Sequence, residues 1–316
     1  MALTVKYATP VGAEAPKGIR TGSIALKVNG QEHIVQRQEG DLYTASVKLS
    51  EGDEVSVNVS AEGLPDASGH TSVPARPQIL DYSFEQVQVD TINATAVHLT
   101  LDHAPLEQEF YGIQIVNYNE ITYLDQSSNI LVSWLTPGYV LSMDETMQFD
   151  LEDFQQVNYY DFHLGGSTQW QPLTLVTRKQ FEENVYDFYI NSYDSSILDR
   201  IRENMPDGET GVAGGGIVSG EVGPVSGGGG WSPDQIPVKM QNHYYILFYR
   251  LSTEFYYYAK ALFQSNFDFL SNMGLTPANF TWTNVSGGLG MVGAISGTQV
   301  GPITVDAPLP IPSVEP

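Results

Sequence analysis

Hydrophobic and polar residues alternate with a period of two through most of the chain. In "DLYTASVKLS", Tyr43, Ala45, Val47 and Leu49 fall on one face, with Leu42, Thr44, Ser46 and Lys48 on the other. "EGDE" supplies a turn, and "VSVNVS" then sets Val55, Val57 and Val59 against Ser56, Asn58 and Ser60. Two such runs joined by a Gly-Asp turn predict a β-hairpin. Upstream, "SIALKVNG" alternates Ile24, Leu26 and Val28, and "MALTVKYATP" reads as a strand through Leu3 and Val5. Together these runs predict a small immunoglobulin-like β-sandwich. Pro74 and Pro77 then interrupt the pattern. Proline cannot continue a ladder, so the boundary of a first domain, 1–77, is placed here, and residues up to Val73 are expected to fold by themselves.

The rest, 78–316, predicts a larger β-sandwich domain. Its strands are "ATAVHLTLD", "FYGIQIVNY", "NILVSWL", "NVYDFYINSY" and a last long one, "HYYILFYRLS". "SSILDRIRENM" fits a short helix through Ile201 and Met205. Gly208–Gly230 holds eleven glycines in 23 residues, and the entropy cost of ordering that backbone predicts a disordered insertion. A helix is expected near 252–270. Ser252 or Thr253 can cap it, Glu254 suits its first turn, and Phe255, Tyr258, Ala259 and Leu262 form one stripe. Tyr256, Phe263 and Phe267 form a second stripe, so the helix should be wedged between surfaces and lie on the second β domain. The glycines of "GGLGMVGA" would let backbone approach where a side chain would clash.

Composition narrows the function classes. With 41% hydrophobic residues in 316 there is enough apolar material for two cores. The formal charge of −23 argues against nucleic acid and anionic lipid surfaces as partners. The absence of cysteine removes disulfides, thiolate metal sites and cysteine nucleophiles, and no apolar run approaches the roughly 20 residues of a membrane helix.

Candidate chemistry is sparse. His33, His70, His98, His103, His163 and His243 form no close metal pair; His98 and His103 come nearest. No nucleophile elbow or phosphate loop is present, so no catalytic constellation and no cofactor is expected. Asp144, Glu145, Asp150, Glu152 and Asp153 lie at spacings that suit calcium, yet Phe149 and Leu151 alternate among them as in a solvated acidic edge strand. Trp170 and Trp231 lie beside glycines and polar residues as exposed ligand-binding candidates, whereas Trp134 and Trp282 sit in apolar runs and read as core.

The ordered segments carry a resemblance. "EGDLYTASVKLSEGDEVSVNVSAEGLPDASGHTSVP" looks like a first sandwich with a Thr-x-Val-Pro exit, and "HAPLEQEFYGIQI" like the acidic turn and aromatic pair that open a second domain. "FEENVYDFYI" is similar to a Phe-Asp-Gly-x-x-Tyr strand, with Asn184 in place of the glycine. "LSTEFYYYAKAL" resembles a Ser-x-x-Tyr-Tyr-x-Tyr helix, with Phe255 at the first aromatic position. "NFTWTNVSGGLGMVGAIS" resembles a terminal glycine signature in which Val292 replaces a phenylalanine. These pieces are those of a large family of Bacteroidota cell-envelope lipoproteins, formally a domain of unknown function, encoded beside TonB-dependent outer-membrane receptors. The resemblance implies a non-enzymatic lipoprotein at the cell surface, lipid-anchored through an upstream cysteine. Its implied partner is a TonB-dependent transporter, and it would capture or admit a nutrient ligand. The rival expectation is a structural or adhesive surface module, fimbrial or matrix.

Overall fold

The computed structural model describes residues 2–4, 22–38, 42–89, 92–125, 128–138, 140–141, 155–157, 173–191, 236–267 and 282–307. Among these the fold is mainly β, with several antiparallel sheets arranged as β-sandwich domains and one α-helix in the C-terminal region.

The first seven strands are β1 (Ala2–Thr4), β2 (Ser23–Val28), β3 (Gln31–His33), β4 (Gln36–Arg37), β5 (Leu42–Thr44), β6 (Glu54–Ser60) and β7 (Ala67–Ser72). They form two sheets, ordered β1-β5-β4 and β3-β2-β6-β7. The alternation identifies the buried side in part: Tyr43, Ala45, Val55 and Val57 are buried, but the strand ends at Thr44, Val47 is only partly covered and Leu49, at the turn, is exposed. It does not identify the neighbours. The expected hairpin between the runs at 42 and 55 is absent, since β5 pairs with β1 and β4 while β6 pairs with β2 and β7. A period of two reports which face is covered, and here the turn at 50–53 carries the chain from one sheet to the other. Asp53 holds that turn, accepting from the Ser50 amide at 2.7 Å and from Asn29 Nδ2 at 2.8 Å.

Residues 73–78 lack regular structure and lead into the second set of strands. These are β8 (Ile79–Val89), β9 (Ile92–Leu101), β10 (Phe110–Asp125), β11 (Ser128–Gly138), β12 (Val140–Leu141), β13 (Gln155–Val157), β14 (Leu173–Val176), β15 (Phe181–Glu182), β16 (Val185–Asn191) and β17 (Ile236–Leu251). The helix α1 (Thr253–Phe267) and β18 (Ile295–Ala307) complete the order. One sheet runs β13-β14-β10-β17-β18, with β11 also on β10; the other runs β12-β16-β9-β8, with β15 also on β16. Val97, Leu99, Ile113, Ile115, Phe188, Ile190, Ile246 and Phe248 lock the two sheets face to face. Each such side chain contributes about 1.5–3 kcal/mol when fully buried.

The strand at 236–251 is not the last one. β18 pairs with it along nearly its whole length. Gly297, Gly301 and Pro302 break the apolar alternation that would announce β18. They are there because Gly297 lies flat against Tyr249 and Gly301 takes φ +111 at an irregularity in the pairing, positions where a Cβ would collide.

The helix lies on the opposite face of the β10–β17 sheet. Phe255 and Ala259 are buried there as expected, against Phe110, Leu173, Leu175 and Leu251. Tyr258 packs at the margin, Tyr256 is buried as well, and the side chains beyond Ala261 lie outside the described residues. The start is capped by Ser252, whose Oγ accepts from the Phe255 amide at 3.3 Å.

Candidate functional site

The sequence candidates Asp144, Glu145, Asp150, Glu152, Asp153, Trp170 and Trp231 lie outside the described residues, as do 192–235 with the 197–205 helix and the glycine-rich insertion. His98 pairs with Asp187 at 2.7 Å and His243 with Glu120 at 3.2 Å, so both are satisfied surface histidines. Among the described residues no three His, Asp or Glu side chains are gathered to hold a metal ion, and no helix is long and apolar enough to cross a membrane.

What the fold does gather is a polar cluster at the end of the second sandwich nearest the first domain. The loop between β9 and β10 returns to the sheet at Glu109, which is 7% exposed. Its Oε1 accepts from the Arg250 guanidinium, and its Oε2 accepts from the Leu106 amide at 3.1 Å and the Tyr111 hydroxyl at 3.0 Å. His103 Nε2 lies 3.2 Å from the same oxygen, while its Nδ1 lies 2.7 Å from Asp102. The β10–β17 register makes this meeting inevitable, because Tyr111 stands opposite Arg250. Burial opposes the charge of Glu109, but the Leu106 amide, Tyr111, Arg250 and His103 outweigh it and hold the carboxyl below the usual range. Asp102 raises the pKa of His103, against its partial burial and with help from Glu109. Burial, then the neighbouring Glu109 charge, push the Tyr111 phenol well above its ordinary value.

Beside this cluster the helix start builds an aromatic stack. Tyr256 lies on Phe110 with ring centres 4.0 Å apart and planes 8° from parallel. Tyr257 meets Phe110 edge-on at 5.6 Å and stacks on Trp282 at 6.2 Å. Trp282, expected in the core, is only half-buried, and Tyr257 is 42% exposed. Its apolar run is real, but 282 precedes the glycine segment that leaves the second sandwich, so the ring covers the helix start from outside. Leu106, in the loop between β9 and β10, and Leu289, in the glycine segment, are 64% and 70% exposed.

The glycine segment itself joins the two domains. Ser286 exchanges backbone hydrogen bonds with Ser68 of β7, at 2.7 and 2.9 Å. Asn284 Nδ2 donates to the His70 carbonyl at 2.9 Å, and Val292 enters the core of the first domain with Leu26, Val28 and Val57. Gly287, at φ +76, passes so close to Asp66 that a Cβ there would stand 2.1 Å from its carbonyl oxygen. The expectation of close backbone approach is met, with the first domain as the surface approached. The Ala294 amide then donates to Ser252 Oγ at 3.2 Å, and Thr71 of β7 donates to Glu254 of α1 at 2.8 Å.

The opposite end of the second sandwich is different. There the inward positions of β10 and β17 change from Ile113, Ile115, Ile246 and Phe248 to Asn117, Asn119, Asn242 and Tyr244, all buried. Asn117 donates to Asn119 at 3.0 Å, but among the described residues the Oδ1 atoms of Asn117 and Asn242 have no hydrogen-bond partner.

A family described as a domain of unknown function, DUF4249, matches residues 3–300, nearly the whole chain. The chain belongs to that family. No curated protein and no solved structure matches this DUF4249 chain. Within the DUF4249 match, "HAPLEQEFYGIQI" carries Glu109 and Tyr111, and "RLSTEFYYYAKAL" carries Arg250 and Tyr257, so two of the segments that bore the resemblance meet at one place. Sequence reasoning missed the Glu109–Arg250 pair. The only signal was a histidine between two acids in "DHAPLEQE", and Arg250 is 141 residues away.

Proposed function

We propose that this protein is a non-enzymatic accessory of a TonB-dependent outer-membrane transporter, held at the cell surface by a lipid anchor and presenting the junction between its domains to ligand or transporter. The Tyr257–Trp282 stack carries the reading. It is a partly exposed aromatic pair, backed by Phe110 and Tyr256, with Tyr257 on a helix capped and tied to the first domain and Trp282 on the segment that follows it. Rigid, half-covered Tyr and Trp side chains are the residue types that dominate binding energy at interfaces. The neighbouring Glu109 cluster supports a binding role over a catalytic one. Both oxygens of Glu109 are occupied by groups of the protein and its carboxylate is shielded from solvent, so Glu109 serves to hold the junction rather than to exchange protons with a substrate.

The test is capture of the full-length lipidated protein from outer membranes. A transporter should co-purify with the wild type and be lost from a Tyr257→Ala/Trp282→Ala double variant that unfolds at the same denaturant concentration. A preparation free of transporter would overturn the reading. Self-association into fibres would replace it with the structural or adhesive module.

A further inference from the structure

We propose that the outer edge of β8 is a docking site for an extended strand of a partner protein whose side chains alternate between apolar and basic. This goes beyond the accessory role and rests on a different face of the molecule.

β8 ends its sheet: among the described residues it pairs with β9 and with no strand on its other side. An open row of backbone donors and acceptors is a template for strand addition unless it is protected by short length, proline, a bulge or charge. Charge of a single sign on the outward side repels like strands while leaving the edge open to strands of the opposite sign. β8 is eleven residues long, contains no proline, and its pairing with β9 is irregular only at the start, between Ile79 and Asp81. Its inward positions are aromatic. Tyr82 stands opposite Leu99 and Phe84 opposite Val97, both core residues, so their rings are on the core side. Nevertheless Tyr82 is 42% and Phe84 43% exposed, and Leu80 beside them is 67% exposed. β18 of the facing sheet reaches β8 without covering these rings, leaving an apolar ledge beneath an unpaired edge.

The outward positions select the occupant. Asp81 and Glu85 flank Ser83 on the solvent side, exposed, and the whole chain carries −23. A second copy added antiparallel, with Tyr82 opposite Phe84, sets Asp81 against Glu85 twice, and like charges directly opposite are destabilising. A strand whose outward residues are Lys or Arg meets both carboxylates, while its inward apolar residues extend the Tyr82–Phe84 ledge. Charge complementarity of this kind also raises the association rate at low salt.

The probe is a fluorescent synthetic peptide alternating Lys and Val, titrated into the full chain beside a Glu/Val peptide. The Lys/Val peptide should bind at least tenfold more tightly than the Glu/Val peptide. An Asp81→Lys/Glu85→Lys variant, changed only at exposed positions, should reverse that order. Phe84→Lys, which points a charge inward, should weaken Lys/Val binding at least tenfold with an unchanged far-ultraviolet spectrum. Equal affinity for both peptides, no binding of either, or an order untouched by the double variant overturns the proposal. So does a wild-type dimer that Phe84→Lys disperses, which would make a second copy the occupant.

Discussion

Glu109, at the foot of β10, and Asn242, on β17, are buried polar side chains within one sheet, yet they are treated in opposite ways. Glu109 carries a full charge and has a backbone amide, a phenol, an imidazole and a guanidinium converging on it. Asn242 is neutral and more deeply buried, and its Oδ1 has no partner among the described residues. Burial alone therefore says little about stability at either place. At the end near the first domain, loop, sheet and helix arrive together and supply donors. At the far end the strands outrun their apolar core, and Asn117 and Asn242 keep polar atoms that no neighbour among the described residues satisfies.

Substitutions at the two ends should differ accordingly. Glu109→Ala, which strands Arg250 and Tyr111, should cost about 3–5 kcal/mol, read as a lower urea midpoint. If it costs no more than a change at Asn242, the contrast between the ends fails. Gly287→Ala sharpens the picture of the near end. The positive φ and the collision with Asp66 should cost about 1–3 kcal/mol and lower the melting temperature. A variant melting with the wild type would mean that the Ser68–Ser286 contact does not join the domains. Asn242→Leu removes an unsatisfied oxygen and one long hydrogen bond to Tyr244, so stability should stay within about 1 kcal/mol or rise. A loss beyond about 2 kcal/mol would show that this oxygen has a partner after all.

The smallest effect is one of pH. The raised pKa of His103 means that its contribution is complete below its ordinary value of 6.5 and fades as pH climbs through the raised value. The lowered pKa of Glu109 means that its contribution is complete above its ordinary 4.5 and fades as pH falls through the lowered value. The cluster is thus strongest between those two values. His103→Gln should cost most there, and because the ring is 44% exposed and screened, no more than about 1 kcal/mol. A penalty that grows above pH 7 would contradict the assignment.

The sequence announced its β character and its helix because both depend on local periods. The inward Phe255 and Ala259 followed from spacing alone, and the cap was narrowed to Ser252 or Thr253, between which the structure chooses Ser252. Pairing did not, because the valines of β6 are equally content beside β5 or β2, and only the packed sandwich decides. β18 was hidden for a related reason: the glycines that let it lie against Tyr249 erase the alternation that marks a strand. The Glu109 cluster depends on a register between residues far apart in the chain, which no local pattern encodes. The aromatic pair was half legible, since Tyr257 was seen in the helix while Trp282 was assigned to the core.

Val292 also sets an order of events. The first domain's valine core is complete only when a residue from the C-terminal part of the chain has been inserted into it. On the ribosome, residues 22–73 emerge early, yet the side chain that finishes their core is synthesised more than 200 positions later. Nascent chains stalled beyond the second-domain boundary but before Val292, with enough tail to bring residue 73 clear of the exit tunnel, should therefore be cut readily by protease within 22–73, while chains stalled beyond residue 307 with the same tail resist. A stop codon between the two domains would release an unfinished first sandwich, and quality control would meet it as a misfolded protein.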